Sequence, residues 1–134
     1  MRTIKFRAMR NNGKWVIGNY VHHFISYFDT IERHSIFLSK SENDNGGHWV
    51  EDIITKTIGQ FTGLYDKDGK EIYEGDILDF NGLTVEVRFV RGVFAFLANG
   101  DLDEELCGDC RTDLFAKVIG NIHDNPELLK GGEK

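Results

Sequence analysis

The chain has 134 residues and a formal net charge of -6, a length that suits one domain or two small lobes sharing a core. Fifteen glycines, ten phenylalanines and one proline favour strands and tight turns over long helices. Two cysteines are too few for a disulfide framework, and no apolar run approaches the ~18 residues of a membrane span, so we expect a soluble protein of a reducing cytoplasm.

Charge is unevenly distributed along the chain. Residues 1–40 contain seven Lys or Arg and two Asp or Glu, a net +5, so residues 41–134 carry -11. We expect the basic arm to lie on the acidic body or on a neighbouring copy. The alternative is that Arg2, Lys5, Arg7, Arg10 and Lys14 bind nucleic acid, although an acidic body repels phosphate.

Residues 1–57 are predicted to form an N-terminal β lobe. Ile4, Phe6 and Ala8 alternate with basic residues, and the turn sequence 11–13 separates them from the strand sequence 15–21, a pattern that predicts a β-hairpin. Residues 35–39 predict another short strand, and the polar segment 40–48 predicts a variable or disordered loop.

Residues 58–129 are predicted to form a second lobe, followed by a tail at 130–134. Asn81-Gly82 is a strong hairpin signal that pairs Phe80 with Leu83 and Leu78 with Val85. A turn at Arg91-Gly92 extends this hairpin into a three-stranded meander over 77–97, and 114–122 predicts the last strand before a helical turn at Asn125. The whole pattern predicts a mainly β protein, a small SH3-like β-barrel with an N-terminal β lobe and a short C-terminal helical turn; a sandwich is the alternative.

The motifs that suggest chemistry are better explained by structure. Cys107 and Cys110 lie in an acidic loop, which disfavours a redox pair, and as zinc ligands they need two more, so we expect free thiols unless two chains share a metal. The sequence Asp66–Gly69 opens like a calcium loop but lacks the later ligands, so it predicts a turn. The five histidines show no metal-ligand spacing. We therefore predict no catalytic residue, cofactor, metal or small-molecule ligand; the alternative is an enzyme whose site is assembled from distant strands.

Carboxylates and aromatic residues are dense between residues 57 and 80. Asp76 follows Gly75 at a strand entry, where its carboxylate can accept backbone N–H bonds. Gln60, Phe61, Tyr65, Tyr73 and Trp49 would form an aromatic groove for a peptide or single-stranded nucleic acid if Tyr65 and Tyr73 were exposed neighbours.

Four segments resemble a known family. They are the opening strand 4–8, the second strand 13–18, the run 58–64 followed by 68–77, and the closing sequence 118–122 with 125–129. All are similar to motifs of the YopX-like proteins of phages and prophages of low-GC Gram-positive and other bacteria. The resemblance implies a β-rich, SH3-like body, an accessory role in a bacterial host without an assigned activity, and no catalytic residues. We therefore expect a protein-binding or self-associating module, whose possible interaction surface comprises Gln60, Tyr65, Tyr73, Arg7 and Lys14.

Overall fold

The computed structural model describes residues 3–25, 31–38, 48–106 and 111–130, and within these ranges it is mainly β. The strands are β1 (Phe6–Arg10), β2 (Trp15–Ile25), β3 (Ile31–Leu38), β4 (His48–Val50), β5 (Ile53–Tyr65), β6 (Glu71–Tyr73), β7 (Asp76–Phe80), β8 (Leu83–Val90), β9 (Val93–Ala98) and β10 (Ala116–Asn121). The helical elements are a 3-10 turn at Leu102–Glu104 and two single-turn helices, α1 (Thr112–Phe115) and α2 (Glu127–Lys130).

The described strands form two antiparallel sheets, in the orders β4-β3-β2-β1-β5-β6 and β10-β7-β8-β9. The chain divides into two compact units, Met1–Gln60 and Phe61–Lys134. The division falls inside β5, whose first part pairs with β1 and whose last part pairs with β6. The boundary expected after residue 57 lies in the same strand.

The first unit contains the predicted N-terminal hairpin. β1 pairs with β2 so that Ala8 lies opposite Val16, and Gly13 closes the turn with a φ of 85°. The core of this unit is formed by Ala8, Ile36, Val50 and Ile53, with Phe6, Val16, Tyr20, Leu38 and Ile58 packed against it. The predicted loop at 40–48 lies outside the described residues apart from His48.

The second unit contains the predicted meander. β7 pairs with β8 in the expected register, Phe80 opposite Leu83 and Leu78 opposite Val85, and β9 pairs with β8 beyond the second turn. The core consists of Ile72, Leu78, Val85, Val87, Phe96 and Ala116. The last strand begins at Ala116 rather than at residue 114, because residues 112–115 form the helical turn α1.

The prediction of a closed SH3-like barrel is not confirmed. Among the described strands, none joins β9 to β10, so the four-stranded sheet is open. Loops occupy its edges instead: the N–H of Lys67 donates to the carbonyl of Ala116 on β10 (2.9 Å), and that of Leu106 donates to Phe96 on β9 (2.8 Å). One carbonyl on each edge strand is therefore paired by a loop rather than by another strand.

Candidate functional site

The turn after β5 is held by the buried carboxylate of Asp66. Oδ1 accepts hydrogen bonds from the backbone N–H groups of Asp68 (2.9 Å) and Lys70 (2.8 Å), and Oδ2 accepts one from Val118 on β10 (3.0 Å). Gly69 supplies the positive φ of the turn, 82°. These bonds confirm the predicted turn and fix the end of β5 against β10.

The pKa of Asp66 lies below its ordinary value. Burial alone raises it, but the hydrogen bonds from Val118, Lys70 and Asp68, together with the positive charge of Lys70, favour the ionised form and outweigh burial. The hydrogen bonds of the turn therefore favour the ionised form of Asp66.

The two tyrosines of the predicted groove have different environments. Tyr65 is 45% exposed, whereas Tyr73 is 3% exposed. Phe61 is buried between them, with its ring centroid 5.6 Å from that of Tyr65 and 5.5 Å from that of Tyr73. The polar groups of the buried Tyr73 are paired: its backbone N–H donates to Asp76 Oδ2 (2.7 Å) and its hydroxyl to Glu71 Oε1 (2.9 Å). Of the two, only Tyr65 presents its side chain to solvent.

A second segment lies beside Tyr65. The hydroxyl of Thr112 donates to the carbonyl of Tyr65 (3.0 Å), and the N–H of Lys67 donates to the carbonyl of Ala116 (2.9 Å). In the same segment as these two bonds, Leu114 and Phe115 are 53% and 43% exposed. We refer to Tyr65, Leu114 and Phe115 as the Tyr65 surface.

The other predicted site residues belong to the first unit. The Arg7 guanidinium lies 4.8 Å from the centroid of the Trp15 ring. In this cation–π contact the ring shields one face of the guanidinium. Lys14 is exposed in the turn between β1 and β2, and Gln60 lies opposite Phe6. The structure thus places Arg7, Lys14 and Gln60 in one unit and Tyr65 and Tyr73 in the other.

Among the described residues, no group of three or more His, Cys, Asp or Glu side chains is placed to hold a metal ion. Cys107 and Cys110 lie outside those residues. The helices of the described part of the chain are all too short to cross a membrane.

The structure also pairs two histidines that linear spacing did not connect. His22 on β2 lies directly opposite His34 on β3, and their rings stack with centroids 4.3 Å apart. Residues twelve positions apart meet because the two strands pair antiparallel. The relevant signal in the sequence is that both histidines lie at equal distances from the centre of the β2–β3 connection.

Comparison with known proteins gives a family and a structural relative. A family model described as "YopX protein" matches residues 5–130. The fold is similar to the crystal structure of protein EF1440 from Enterococcus faecalis, with a TM-score of 0.61 and 26% sequence identity over 96% of this chain and 99% of the other. No curated protein matches the chain.

Proposed function

Because this chain belongs to the YopX family, we propose that it is a phage- or prophage-encoded accessory protein that binds another protein in the host cytoplasm and is not an enzyme. The observation that supports this proposal is the Tyr65 surface. Exposed apolar side chains on neighbouring segments are typical of protein interaction sites. Tyrosine is also enriched among the residues that contribute most to binding energy.

The Tyr65 surface is built on backbone that is already ordered. The three hydrogen bonds to Asp66 hold the turn, and the bonds from Thr112 and Lys67 align the second segment. A partner would therefore meet side chains whose main chain needs no further ordering, which lowers the entropic cost of association.

Charge indicates the kind of partner. Residues 61–134 contain eight Lys or Arg and sixteen Asp or Glu, a net charge of -8. A partner segment that places apolar side chains on Tyr65 and Leu114 and basic side chains at the rim would be complementary to this unit. The proposed partner is thus an apolar segment flanked by Lys or Arg, either in another protein or in a second copy of the chain.

The experiment compares the wild type with two double variants. Tyr65→Ser/Leu114→Ser removes the apolar character of the Tyr65 surface, whereas Val93→Ser/Leu102→Ser makes the same change at two other exposed positions of the second unit. Light scattering over a range of concentrations measures self-association, and affinity capture from host cells followed by mass spectrometry identifies other proteins.

We expect the wild type and the Val93/Leu102 variant to bind the same partner or self-associate equally, and the Tyr65/Leu114 variant to bind about tenfold more weakly or worse. A wild type that stays monomeric and captures no protein would contradict the proposal. Equal binding by both double variants would show that the Tyr65 surface is not the interface. Nucleic acid recovered in place of protein would favour the alternative function.

A further inference from the structure

Three side chains form a polar cluster on one face of the β2–β3 hairpin in the first unit. The imidazoles of His22 and His34 stack with centroids 4.3 Å apart and ring planes 14° from parallel. The Tyr20 hydroxyl lies 2.6 Å from Nδ1 of His34, and the tyrosine ring itself stacks on His34 at 5.9 Å. His22 is exposed and His34 is half-buried, so solvent reaches the cluster from one side.

Strand register holds the two histidines together. His22 and His34 are direct cross-strand partners, and the neighbouring pair Tyr20–Ile36 has the same orientation. Ile36 is fully buried in the core of the unit, and Tyr20 packs on Phe6 with ring centroids 5.5 Å apart. A slip of one residue would move Ile36 out of the core, so burial maintains the register that pairs the histidines.

We propose that His22 and His34 bind a divalent transition-metal ion of the class Ni²⁺, Cu²⁺ or Zn²⁺. Neutral imidazole nitrogen is a preferred ligand for these ions and a poor one for Mg²⁺ or Ca²⁺, which select oxygen. Two nitrogens that bind one such ion at 2.0–2.1 Å in tetrahedral geometry are about 3.3 Å apart. Stacked rings direct their in-plane lone pairs side by side, so one ring has to leave the stack before both can bind one ion. His22, the exposed ring, would turn about its side-chain torsions toward Nε2 of His34, while His34 keeps its bond to Tyr20.

Tyr20 would act as a positioning residue for this site. When Nδ1 of His34 carries the proton, it donates to the tyrosine oxygen, and Nε2 is then the nitrogen that offers a lone pair. A second hydrogen bond of this kind commonly orients a metal-binding histidine and raises its basicity. With two protein ligands the remaining coordination positions are open to water, so we expect affinity well below that of a four-ligand structural site. This inference does not depend on the proposed protein-binding function.

The test is metal titration of the full chain carrying Cys107→Ser and Cys110→Ser, which removes the thiols as competing ligands. Isothermal titration calorimetry with NiCl₂, CuCl₂ and ZnCl₂ gives affinity and stoichiometry, and MgCl₂ serves as the negative control. For Cu²⁺, electron paramagnetic resonance counts the bound imidazole nitrogens. The variants are His22→Gln, His34→Gln and Tyr20→Phe, with His123→Gln in the second unit as the matched control.

We expect one ion per chain and two bound imidazoles. His22→Gln and His34→Gln should each weaken binding more than tenfold, Tyr20→Phe should weaken it by about tenfold, and His123→Gln should leave it unchanged. Circular dichroism and thermal unfolding without metal confirm that each variant is folded. Because His22 is exposed, its variant keeps the test decisive if His34→Gln fails to fold.

Several results would overturn the inference. These are the absence of binding at millimolar metal, binding that disappears when only the cysteines are replaced, and unchanged affinity in a folded His22→Gln variant. Loss of affinity in His123→Gln equal to that in His22→Gln would likewise assign the ion to another site.

Discussion

At the scale of single residues, Asp66 connects parts of the second unit that are distant in sequence. Its carboxylate bonds to Lys70 within the same turn and to Val118, 52 residues away. All three partners of the Asp66 carboxylate are backbone N–H groups. A replacement side chain can keep these bonds only if it offers two acceptor oxygens at the same positions. The side chain thereby joins the Tyr65 surface to the last strand of the sheet.

We predict that Asp66→Asn destabilises the protein by about 1–3 kcal/mol, because an amide NH₂ would face a backbone N–H, such as that of half-buried Val118, and leave it without an acceptor. Asp68→Asn is the matched control, since Asp68 is exposed in the same turn. Chemical denaturation of both variants measures the difference. Equal stability of the two variants would show that the Asp66 hydrogen bonds contribute little to the free energy of unfolding.

The lowered pKa of Asp66 also predicts a dependence on pH. A carboxyl whose pKa is lower in the folded state contributes fully above its unfolded pKa of about 4. Its contribution is lost as pH falls through the lower folded value. We therefore expect the wild type to lose stability below about pH 4 more steeply than Asp66→Asn. Parallel curves of unfolding free energy against pH would contradict this prediction.

Gly100 lies against an ion pair in which Glu86 is buried and Arg88 is partly exposed. The Glu86 carboxylate accepts from Arg88 Nη2 (2.7 Å) and Nε (3.1 Å), bonds that raise the pKa of Arg88, and Nη2 also donates to the carbonyl of Gly100 (3.3 Å). A Cβ added at Gly100 would lie 2.7 Å from Glu86 Oε1, at a φ of 76°. Position 100 therefore requires a left-handed backbone conformation and leaves no room for a side chain.

We predict that Gly100→Ala costs about 2–3 kcal/mol, from left-handed strain and displacement of the ion pair. Gly92→Ala is the control: its φ is 83°, but nothing lies within 4 Å of the added Cβ, so only the strain of about 1–2 kcal/mol applies. Thermal unfolding compares the two. A Gly92 variant that is as unstable as the Gly100 variant would rule out an effect through Glu86.

At the scale of elements, Gly18 permits the close approach of β3 to β2. Asn19 pairs with Phe37, and a Cβ at Gly18 would meet the carbonyl oxygen of Phe37 and lie 3.0 Å from Cγ2 of Ile36. Both contacts involve β3, which contributes Ile36 to the core of the first unit. The carbonyl oxygen of Phe37 belongs to the backbone of β3, so it cannot move aside as the end of a flexible side chain could.

We predict that Gly18→Ala separates β2 from β3 locally, costs about 1–3 kcal/mol and speeds hydrogen exchange of amides along both strands. Gly13→Ala, in the β1–β2 turn with no atom near its added Cβ, should destabilise the turn without this exchange pattern. Hydrogen exchange followed by NMR distinguishes the two variants. Unchanged exchange in β3 of the Gly18 variant would contradict the prediction.

The predictable elements are those whose register is fixed by adjacent residues. The β7–β8 hairpin follows from Asn81-Gly82, because this turn and the apolar alternation specify one register. Burial of Tyr73 and exposure of Tyr65 did not follow, because Gly63 at a φ of 88° lies where the β5–β6 register shifts. The open sheet depends on contacts between distant segments, which local sequence patterns do not encode. The His22–His34 pair depends on the register of β2 against β3, and the sequence signals it only by the equal distance of the two histidines from the centre of their connection.

At the scale of the whole molecule, the two units differ in charge. Residues 1–60 contain eight Lys or Arg and six Asp or Glu, a net +2, against -8 for residues 61–134. Within the first unit, Arg10 forms an ion pair with Asp52 (3.0 Å), and Arg7 lies over Trp15. Part of the basic character predicted for the N-terminal arm is therefore compensated inside its own unit.

We predict that the protein does not bind labelled single- or double-stranded oligonucleotides even at low ionic strength, since its net charge of -6 repels phosphate. Fluorescence anisotropy measures this directly. A change in anisotropy that weakens with added salt and is reduced in Lys14→Glu would contradict the prediction and support the nucleic-acid alternative.

The strand order of the second unit bears on when it can fold during synthesis. β10 is made last, yet it lies beside β7, and its Val118 N–H is the distant partner of Asp66. Until residues 116–121 leave the ribosome, β7 has an open edge and the Asp66 carboxylate lacks one of its donors. The nascent chain must therefore carry an incomplete sheet for about 40 residues of translation after β7, the interval in which chaperone contact and aggregation compete with folding.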